Sequence, residues 1–335
     1  MCGPRLFPLP RLKGVFMANK KSADVQQTEL VNQKTFWQKL GKQKQLIFMS
    51  VPFVLYIILF RYIPLWGWNM AFQDYKPARS FSQQTWVGLK WFIFLFKDKE
   101  FLLSLRNTIG MSIISTVLGY ITAILIAILL NEVQNIALKR FVQTVSYLPH
   151  FLSWVIVTGL VANMLSVEDG ILNNILMYIG AIDKPVLWLS VPNYFWQIIG
   201  WTYVWKEVGW NTIVYLGAMT AIDPCLYEAA EIDGCGRLRK IMHITLPGIR
   251  PTIIIMMIMS AGHILDANFE MPFFLKNGMI EEVATTIDIY VLKYGFKLFN
   301  FSLATAAGIF KNAVNILLLL LANWFAKKAG EERLI

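Results

Sequence analysis

The chain has 335 residues, of which 56% are hydrophobic and only 16% are charged, with a mean hydropathy of +0.51 and a formal net charge of +10. This balance excludes an ordinary soluble domain and predicts a polytopic membrane protein. The basic excess indicates membrane topology and attraction to anionic lipid, because no nucleic-acid-binding motif accompanies it.

Apolar segments define the predicted architecture, an all-α fold of about six transmembrane helices, each long enough to cross roughly 30 Å of hydrocarbon. The segments are 46–72, 109–131, 141–165, 194–221, 250–272 and 301–326. The fourth is interrupted by Lys206 and Glu207, but it is otherwise apolar and rich in the aromatic residues typical of membrane interfaces. Six spans place both termini on the same side.

Basic residues predict the orientation, since cytosolic segments carry more lysine and arginine than outer segments. With both termini inside, the cytosolic segments hold 17 Lys and Arg residues and the outer segments hold 10. We therefore expect a cytosolic N-terminal segment (1–44), one transmembrane domain (45–327) and a cytosolic tail (328–335). Residues 1–16 differ in composition from the rest, and we interpret them as an extension before a start at Met17.

The outer segment 81–106 contains a row of aromatic residues, WVGLKWFIFLF, which predicts a helix lying in the outer membrane interface. A contact with an extracytoplasmic partner is the alternative for this segment.

The sequence carries no common catalytic or metal-binding motif. GxxxxGK[ST], GxSxG and HExxH patterns are missing from the sequence, so the chain is not expected to hydrolyse ATP itself or to be an enzyme. The three cysteines fit no disulfide framework or zinc spacing, and the three histidines are scattered. No metal site and no cofactor is therefore expected in this chain.

The polar loop 222–250 lies between the fourth and fifth spans and has the signals of two short helices. Asp223 is a favourable N-cap, and Pro224 suits the first helical position. Gly234 can end this helix in a left-handed conformation. A second amphipathic segment follows, and Pro247 is expected to stop it. The charge count places this helical hairpin in the cytosol.

The alternative for this loop is a solvated surface segment without a partner. In that interpretation Glu228 or Glu231 pairs with Arg237 or Arg239.

The loop resembles the EAA loop of ABC-importer permeases, whose pattern is Glu-Ala-Ala, three residues, Gly, nine residues, Ile, one residue and Leu-Pro. The sequence matches this pattern without departure at Glu228, Ala229, Ala230, Gly234, Ile244, Leu246 and Pro247. The resemblance implies that these residues, with Asp233 and Arg237, couple the chain to a separate ATPase. Glu228 would hold the loop or its partner by charge-assisted hydrogen bonds, and Gly234 would permit the sharp reversal.

Residues 45–330 resemble the oligosaccharide and polysaccharide permeases of the carbohydrate-uptake transporters, with alginate importers among the candidates. The stretches that carry this resemblance are ALKRFVQTVSYLPHFLSWVIV, YEAAEIDGCGRLRKIMHITLPGI, GHILDANFE and ATAAGIFKN. It implies a bacterial cytoplasmic-membrane complex with a second, similar permease and a periplasmic or lipid-anchored solute-binding protein. Two ATPase subunits would bind ATP and Mg²⁺ and drive import of the sugar.

Polar residues within the predicted spans form the second candidate site. A charge near the bilayer centre costs about 3 kcal/mol, so it should face an interior or a wet cavity. The candidate substrate-pathway residues are Tyr203, Trp205, Lys206, Glu207, Asp266, Asn268 and Glu270. In the alternative interpretation the charges pair with one another, Lys206 with Asp266 or Glu270, and stabilise the helix bundle.

Three other functions remain as alternatives. A membrane-embedded enzyme acting on glycans would need a catalytic cluster, and a secondary transporter would need no ATPase dock. A permease of the same architecture for a solute other than a sugar is the third.

Overall fold

The computed structural model describes residues 43–266, 269–328 and 330. The predicted N-terminal segment up to residue 42 lies outside the described residues, as do Asn268 and all of the tail beyond residue 328 except Gly330. The chain divides into two compact units, at Gly67 and Trp68. The first contains α1 (Lys44–Ile57) and a π-helical turn (Ile58–Tyr62), whose apolar side chains are largely exposed.

The second unit is helical apart from a small antiparallel pair of strands, β1 (Gln73–Asp74) and β2 (Thr85–Trp86). Its helices are α2 (Lys90–Leu95), α3 (Lys99–Glu132), α4 (Ile136–Tyr147), α5 (Trp154–Met164), α6 (Ile171–Tyr178), α7 (Pro192–Thr220), α8 (Pro224–Ile232), α9 (Arg237–Lys240), α10 (Leu246–Ala261), α11 (Glu270–Leu275), α12 (Glu281–Ala284), α13 (Ile287–Leu292) and α14 (Phe301–Lys328).

Four helices of the described residues are long and apolar enough to cross a membrane: Lys44–Phe72, α3, Arg237–Ala261 and α14. A fifth span is formed if Ile136–Phe151 and α5 are taken together, although they meet at an angle of 102°. α7 has 29 residues and is long enough to be the sixth. Its mean hydropathy is lower than that of the other spans, chiefly because Gln197, Lys206, Glu207 and Asn211 interrupt its apolar residues. The predicted all-α membrane fold is confirmed.

The third predicted span, 141–165, is not a continuous helix. Pro149 lies in a short 3₁₀ turn (Leu148–Phe151), and the backbone is extended at Leu152 and Ser153. The side chain of Ser153 then accepts a hydrogen bond from the Ile156 amide and starts α5. A proline that cannot donate and a serine that caps a new helix together explain the break.

Two other predicted elements have different bounds. The helix that contains the second predicted span begins at Lys99, where Asp98 caps the Glu100 amide. The predicted interface helix over 81–106 is instead a 3₁₀ turn (Phe81–Gln83), β2, the short α2 and the first turns of α3. The fifth span ends at Ala261, and Asp266 lies in the turns beyond it. Gly262 starts a non-helical segment that contains several polar residues, and in it the Leu265 amide donates to Asn315 Oδ1 of α14 at 3.1 Å.

α3 and α7 pack against each other along much of their length and form the centre of the second unit. Small residues allow this close approach, as is usual for membrane helices. A Cβ at Gly200 would meet Ile114 of α3, and one at Gly119 would lie 3.2 Å from the ring of Tyr203. Buried alanines of α3, with Ile249 of α10, complete this core.

Candidate functional site

The helical hairpin, residues 223–245, has the local structure that the sequence predicts. Asp223 caps α8 by accepting a hydrogen bond from the Cys225 amide at 2.9 Å, and Pro224 occupies the first helical position. Gly234 has a φ of +73° and ends the helix. Its amide donates to the carbonyl of Glu231, and the Cys235 amide donates to that of Ala230, which is the Schellman arrangement.

Two side-chain contacts join the arms of the hairpin. The hydroxyl groups of Tyr227 and Thr245 lie 2.9 Å apart, and Lys240 Nζ lies 2.6 Å from Glu231 Oε1. The hydrogen bond from Lys240 lowers the pKa of the exposed Glu231 carboxyl. The expected alternative partners, Arg237 and Arg239, were wrong, because Lys240 is the cation whose side chain reaches back across the turn.

Pro247 does not stop the second arm, contrary to the prediction. A single helical path runs from Arg237 to Ala261, and a π-helical turn (Ile241–Thr245) immediately precedes the proline. In this turn the Leu246 amide donates to the carbonyl of Ile241, five residues earlier. The wider turn accommodates a residue that lacks an amide hydrogen and whose ring would otherwise press on the preceding turn. The hairpin is therefore continuous with α10.

The hairpin exposes both its motif residues and an apolar face. Glu228, Ala229, Asp233, Gly234, Arg237 and Pro247 are exposed, whereas Ala230, Ile244 and Leu246 are half-buried. Leu226, Ile232, Leu238 and Met242 are all more than half exposed, and Ile232 reaches 88%. Glu228 forms no ion pair with any described residue. Large apolar side chains exposed on a short polar segment are typical of an interaction surface.

The second predicted site contains a buried charge cluster on α7 that reaches the break after α4. Lys206 is buried, and its Nζ donates to the His150 carbonyl at 2.7 Å and lies 3.2 Å from Glu207 Oε1. Glu207 Oε2 is 2.7 Å from His150 Nδ1. Lys206 thus satisfies a carbonyl that the end of a helix leaves without a partner. The predicted pairing of Lys206 with Asp266 or Glu270 was wrong.

Aromatic rings surround this cluster. Lys206 Nζ lies 4.8 Å from the ring centre of Trp154, which stacks on Tyr203. The ring of His150 stacks on Trp210 at 4.6 Å and 6°. The cluster therefore holds the bent helix pair against α7 through both charge and ring contacts.

Asp266 belongs to a different charge cluster. Its carboxylate lies 2.8 Å from Lys311 Nζ on α14 and 2.9 Å from His263 Nδ1. Lys311 also contacts Asp288 of α13 at 2.6 Å. Glu270, at the start of α11, is half-buried and has no ion-pair partner among the described residues. Of the predicted pathway residues, Lys206 and Glu207 therefore belong to one charge cluster and Asp266 to another.

Two cavities lie between α3, α7 and α10, with volumes of about 180 Å³ and 70 Å³. Both are lined by Thr116, Tyr203 and Ser260, and Asp266 lines the larger one. Trp205 instead lines an apolar groove of about 590 Å³ between α5 and α7. Lys206 and Glu207 line none of these three cavities. Hydroxyl groups and a carboxylate make the paired cavities suitable for a hydrated, hydrogen-bonding solute.

Sequence reasoning missed several residues of these sites, among them His150, Asp288 and Ser260. One signal was present: Ser112, Ser115 and Thr116 recur at three- and four-residue spacing in the otherwise apolar α3, and all three line the larger cavity. Such a hydroxyl stripe in a membrane helix indicates an inward face.

Comparisons with known proteins agree with this architecture. Residues 115–331 match the family model described as binding-protein-dependent transport system inner membrane component. The polygalacturonan/rhamnogalacturonan transport system permease protein YteP of Bacillus subtilis (strain 168) is 44% identical over 294 residues, covering 88% of this chain and 91% of that protein.

Two solved structures are also similar. A bacterial ABC transporter involved in the import of the acidic polysaccharide alginate is 36% identical, with a TM-score of 0.81, over 88% of this chain and 99% of the other. The bacterial alginate ABC transporter in complex with an alginate pentasaccharide-bound periplasmic protein is 36% identical, with a TM-score of 0.82, over 90% and 100%.

Proposed function

Since the chain belongs to the family of binding-protein-dependent transport system inner membrane components, we infer that it is the membrane-spanning permease of an ATP-binding-cassette importer for an oligosaccharide or polysaccharide. Its relatives carry polygalacturonan, rhamnogalacturonan or alginate. The hydroxyl-lined cavities suit a solute of this chemistry.

One observation supports the coupling mechanism most strongly: the exposed hairpin and the cavity wall are parts of one helical path. The helix that contains Lys240 of the hairpin continues to Met256 and Ser260, which line the smaller cavity. At 1.5 Å per residue, Lys240 and Ser260 are about 30 Å apart along the helix. Displacement of the hairpin would therefore be transmitted along this helix to the cavity wall.

We propose that two separate ATPase subunits, which bind ATP and Mg²⁺, supply this displacement by holding the hairpin. Exposed apolar side chains of the hairpin, among them Leu238 and Met242, would enter a groove of the ATPase. Glu228, which has no partner among the described residues, would accept hydrogen bonds there. The other motif residues shape the turn and its junction with α10.

The remaining partners follow from the same proposal. A second, similar permease would complete the pathway, a periplasmic or lipid-anchored binding protein would deliver the sugar, and membrane lipid would surround the spans. Both termini and the hairpin would face the cytosol, as the basic residues predict.

The proposal is tested in proteoliposomes that contain the complete importer, with a panel of oligosaccharides and the binding protein. Leu238→Asp places a charge on the apolar face, and we expect it to abolish co-purification of the ATPase and sugar uptake. Leu187→Asp, at a residue 56% exposed but far along the chain from the hairpin, is the matched control. Full ATPase association with Leu238→Asp would reject the docking role, and no uptake of any saccharide by the wild type would reject the transport function.

A further inference from the structure

A second cleft, of about 460 Å³, lies away from the hairpin and between the first turns of α3, the start of α7 and α12. It is lined by Arg106, Pro192, Asn193, Trp196, Gln197 and Val283. All three walls come from segments, or their borders, that the charge count places outside the membrane. The cleft therefore lies at the side from which an imported solute arrives.

Arg106 is the single charged side chain among the described residues that line this cleft, and it has no carboxylate partner among them. Its guanidinium is held in place from two sides. Nε and an Nη atom donate to Asn107 Oδ1 at 3.3 and 3.1 Å, and the guanidinium carbon lies 5.9 Å from the ring centre of Trp196. An exposed cation that is oriented in this way keeps free donors for an anion.

The supporting residues are themselves fixed. Asn107 is fully buried, and its amide nitrogen donates to the carbonyls of Glu282 and Thr285 at 2.8 and 2.9 Å. The indole of Trp196 donates to the Val283 carbonyl at 3.0 Å. A Cβ at Gly110 would come within 2.5 Å of the Trp196 ring, so the glycine provides the space in which the ring lies. The guanidinium and the indole are thus presented at defined positions.

The chemistry of this cleft matches a sugar acid. A planar guanidinium binds a carboxylate through two parallel hydrogen bonds. An indole offers an apolar face to a sugar ring, and the side-chain amides of Asn193 and Gln197, which make no hydrogen bond with a described residue, can bind hydroxyl groups. The start of the long helix α7 adds a partial positive charge beside the same cleft.

The cleft also lies in line with the paired cavities. Trp196 and Tyr203 are seven residues apart on one face of α7, so about 10 Å along the helix separates the cleft from the cavity wall. We propose that the cleft is an entry subsite for saccharides that carry carboxylate groups, in which Arg106 binds a carboxylate and Trp196 supports the sugar ring. This inference rests on the proposed function and names the substrate class as acidic.

The experiment uses the assembled transporter in nanodiscs, without the binding protein, and measures binding of two probes by saturation-transfer NMR titration. The probes are trigalacturonate and its carboxyl-reduced, neutral counterpart of the same length. We expect the wild type to bind the acidic probe about tenfold more tightly, since a charge-assisted bidentate contact adds roughly that factor.

Arg106→Gln should remove this preference, while Arg106→Lys should keep part of it. Trp196→Leu should weaken binding of both probes and keep most of the preference, because Asn107 still orients the guanidinium. Lys97→Gln, at an exposed cation of the same outer segment that does not line the cleft, is the matched control and should behave as the wild type.

Several outcomes would overturn the inference. A preference that survives in Arg106→Gln, or a wild type that binds both probes equally or neither, would reject the subsite. A preference that disappears in phosphatidylglycerol but not in phosphatidylcholine nanodiscs would assign Arg106 to an anionic lipid headgroup. Weaker docking of the binding protein to Arg106→Gln, without a change in sugar preference, would assign Arg106 to a protein contact.

Uptake by the complete importer is measured separately. Uptake of neutral sugars alone would reject this inference and leave the proposed function standing. No uptake of any sugar would reject both.

Discussion

The hairpin 223–245 and the charge cluster around Lys206 are built by different kinds of contact. The hairpin takes its shape from neighbours in sequence, since Asp223 caps two residues ahead and the Gly234 turn closes on the preceding helical turn. The cluster joins residues more than 50 positions apart, with His150 on one side and Glu207 on the other. A locally specified hairpin can be moved as one body, whereas the cluster depends on the packing of α7 against the bent helix pair.

The largest loss of stability is expected when the charge cluster around Lys206 loses one of its members. Glu207→Leu leaves Lys206 buried without its carboxylate, and breaking a buried ion pair in this way costs about 3–5 kcal/mol. We expect a marked fall in the apparent thermal midpoint of the detergent-solubilised protein, followed by tryptophan fluorescence. Sugar uptake should fall with it.

Glu168→Gln is the matched control, since Glu168 is exposed and makes no ion pair with a described residue. The double variant Lys206→Met with Glu207→Leu removes both charges and should recover much of the lost stability. A thermal midpoint for Glu207→Leu equal to that of the control would show that the cluster does not stabilise the bend.

A smaller effect is expected where α7 touches the backbone of α4. A Cβ at Gly209 would overlap the carbonyl of Ser146, which belongs to rigid backbone and cannot turn away. Gly209→Ala should therefore destabilise the protein by about 1–3 kcal/mol. Gly217→Ala, on the same helix with open space around it, should be neutral or slightly stabilising. Equal thermal midpoints for the two variants would contradict the close packing.

The hairpin should respond locally and not globally. Gly234→Val forces a β-branched residue into a left-handed conformation, at a cost of about 1–2 kcal/mol. We expect amides of 225–232 to exchange hydrogen roughly tenfold faster, with an unchanged thermal midpoint and reduced coupling of ATP hydrolysis to uptake. Gly236→Val is the control, because Gly236 has an extended backbone with φ −69° and free space. Identical exchange in both variants would reject the role of the turn.

These two regions also show what a sequence can predict. Asp223 and Gly234 were identified because caps and left-handed turns depend on residue type within a few positions. Pro247 misled the prediction, since a proline normally ends a helix and only the preceding π turn lets this one continue. The rule that proline ends a helix assumes ordinary α-helical hydrogen bonds, and the π-helical turn Ile241–Thr245 does not have them.

Partners of the buried charges could not be predicted, because they depend on where distant helices cross. The sequence suggested an ion pair between Lys206 and Asp266 or Glu270 of the fifth predicted span. Lys206 instead donates to the His150 carbonyl, where the helix of the third predicted span is broken. Asp266 was placed inside a span, yet the helix ends before it and Lys311 becomes its partner. The sequence indicates that such charges need partners, but the choice among several acids of equal chemistry is made by packing.

The smallest effect is expected at the pair of the exposed Glu231 and the half-buried Lys240. The hydrogen bond from Lys240 lowers the pKa of Glu231, so its contribution is present above the unfolded-state pKa and is lost as the pH falls through the lower, folded pKa. Between pH 6 and pH 8 the carboxyl is therefore ionised throughout, and Glu231→Gln should leave hydrogen exchange of the hairpin unchanged because solvent screens the pair.

Asp223→Ala removes the N-cap of α8 and should speed hydrogen exchange of the hairpin several-fold, since an N-cap contributes about 1 kcal/mol. If Glu231→Gln had the larger effect, the two arms of the hairpin would be held together by charge, and the comparison between a backbone-specified hairpin and a charge-specified bend would fail.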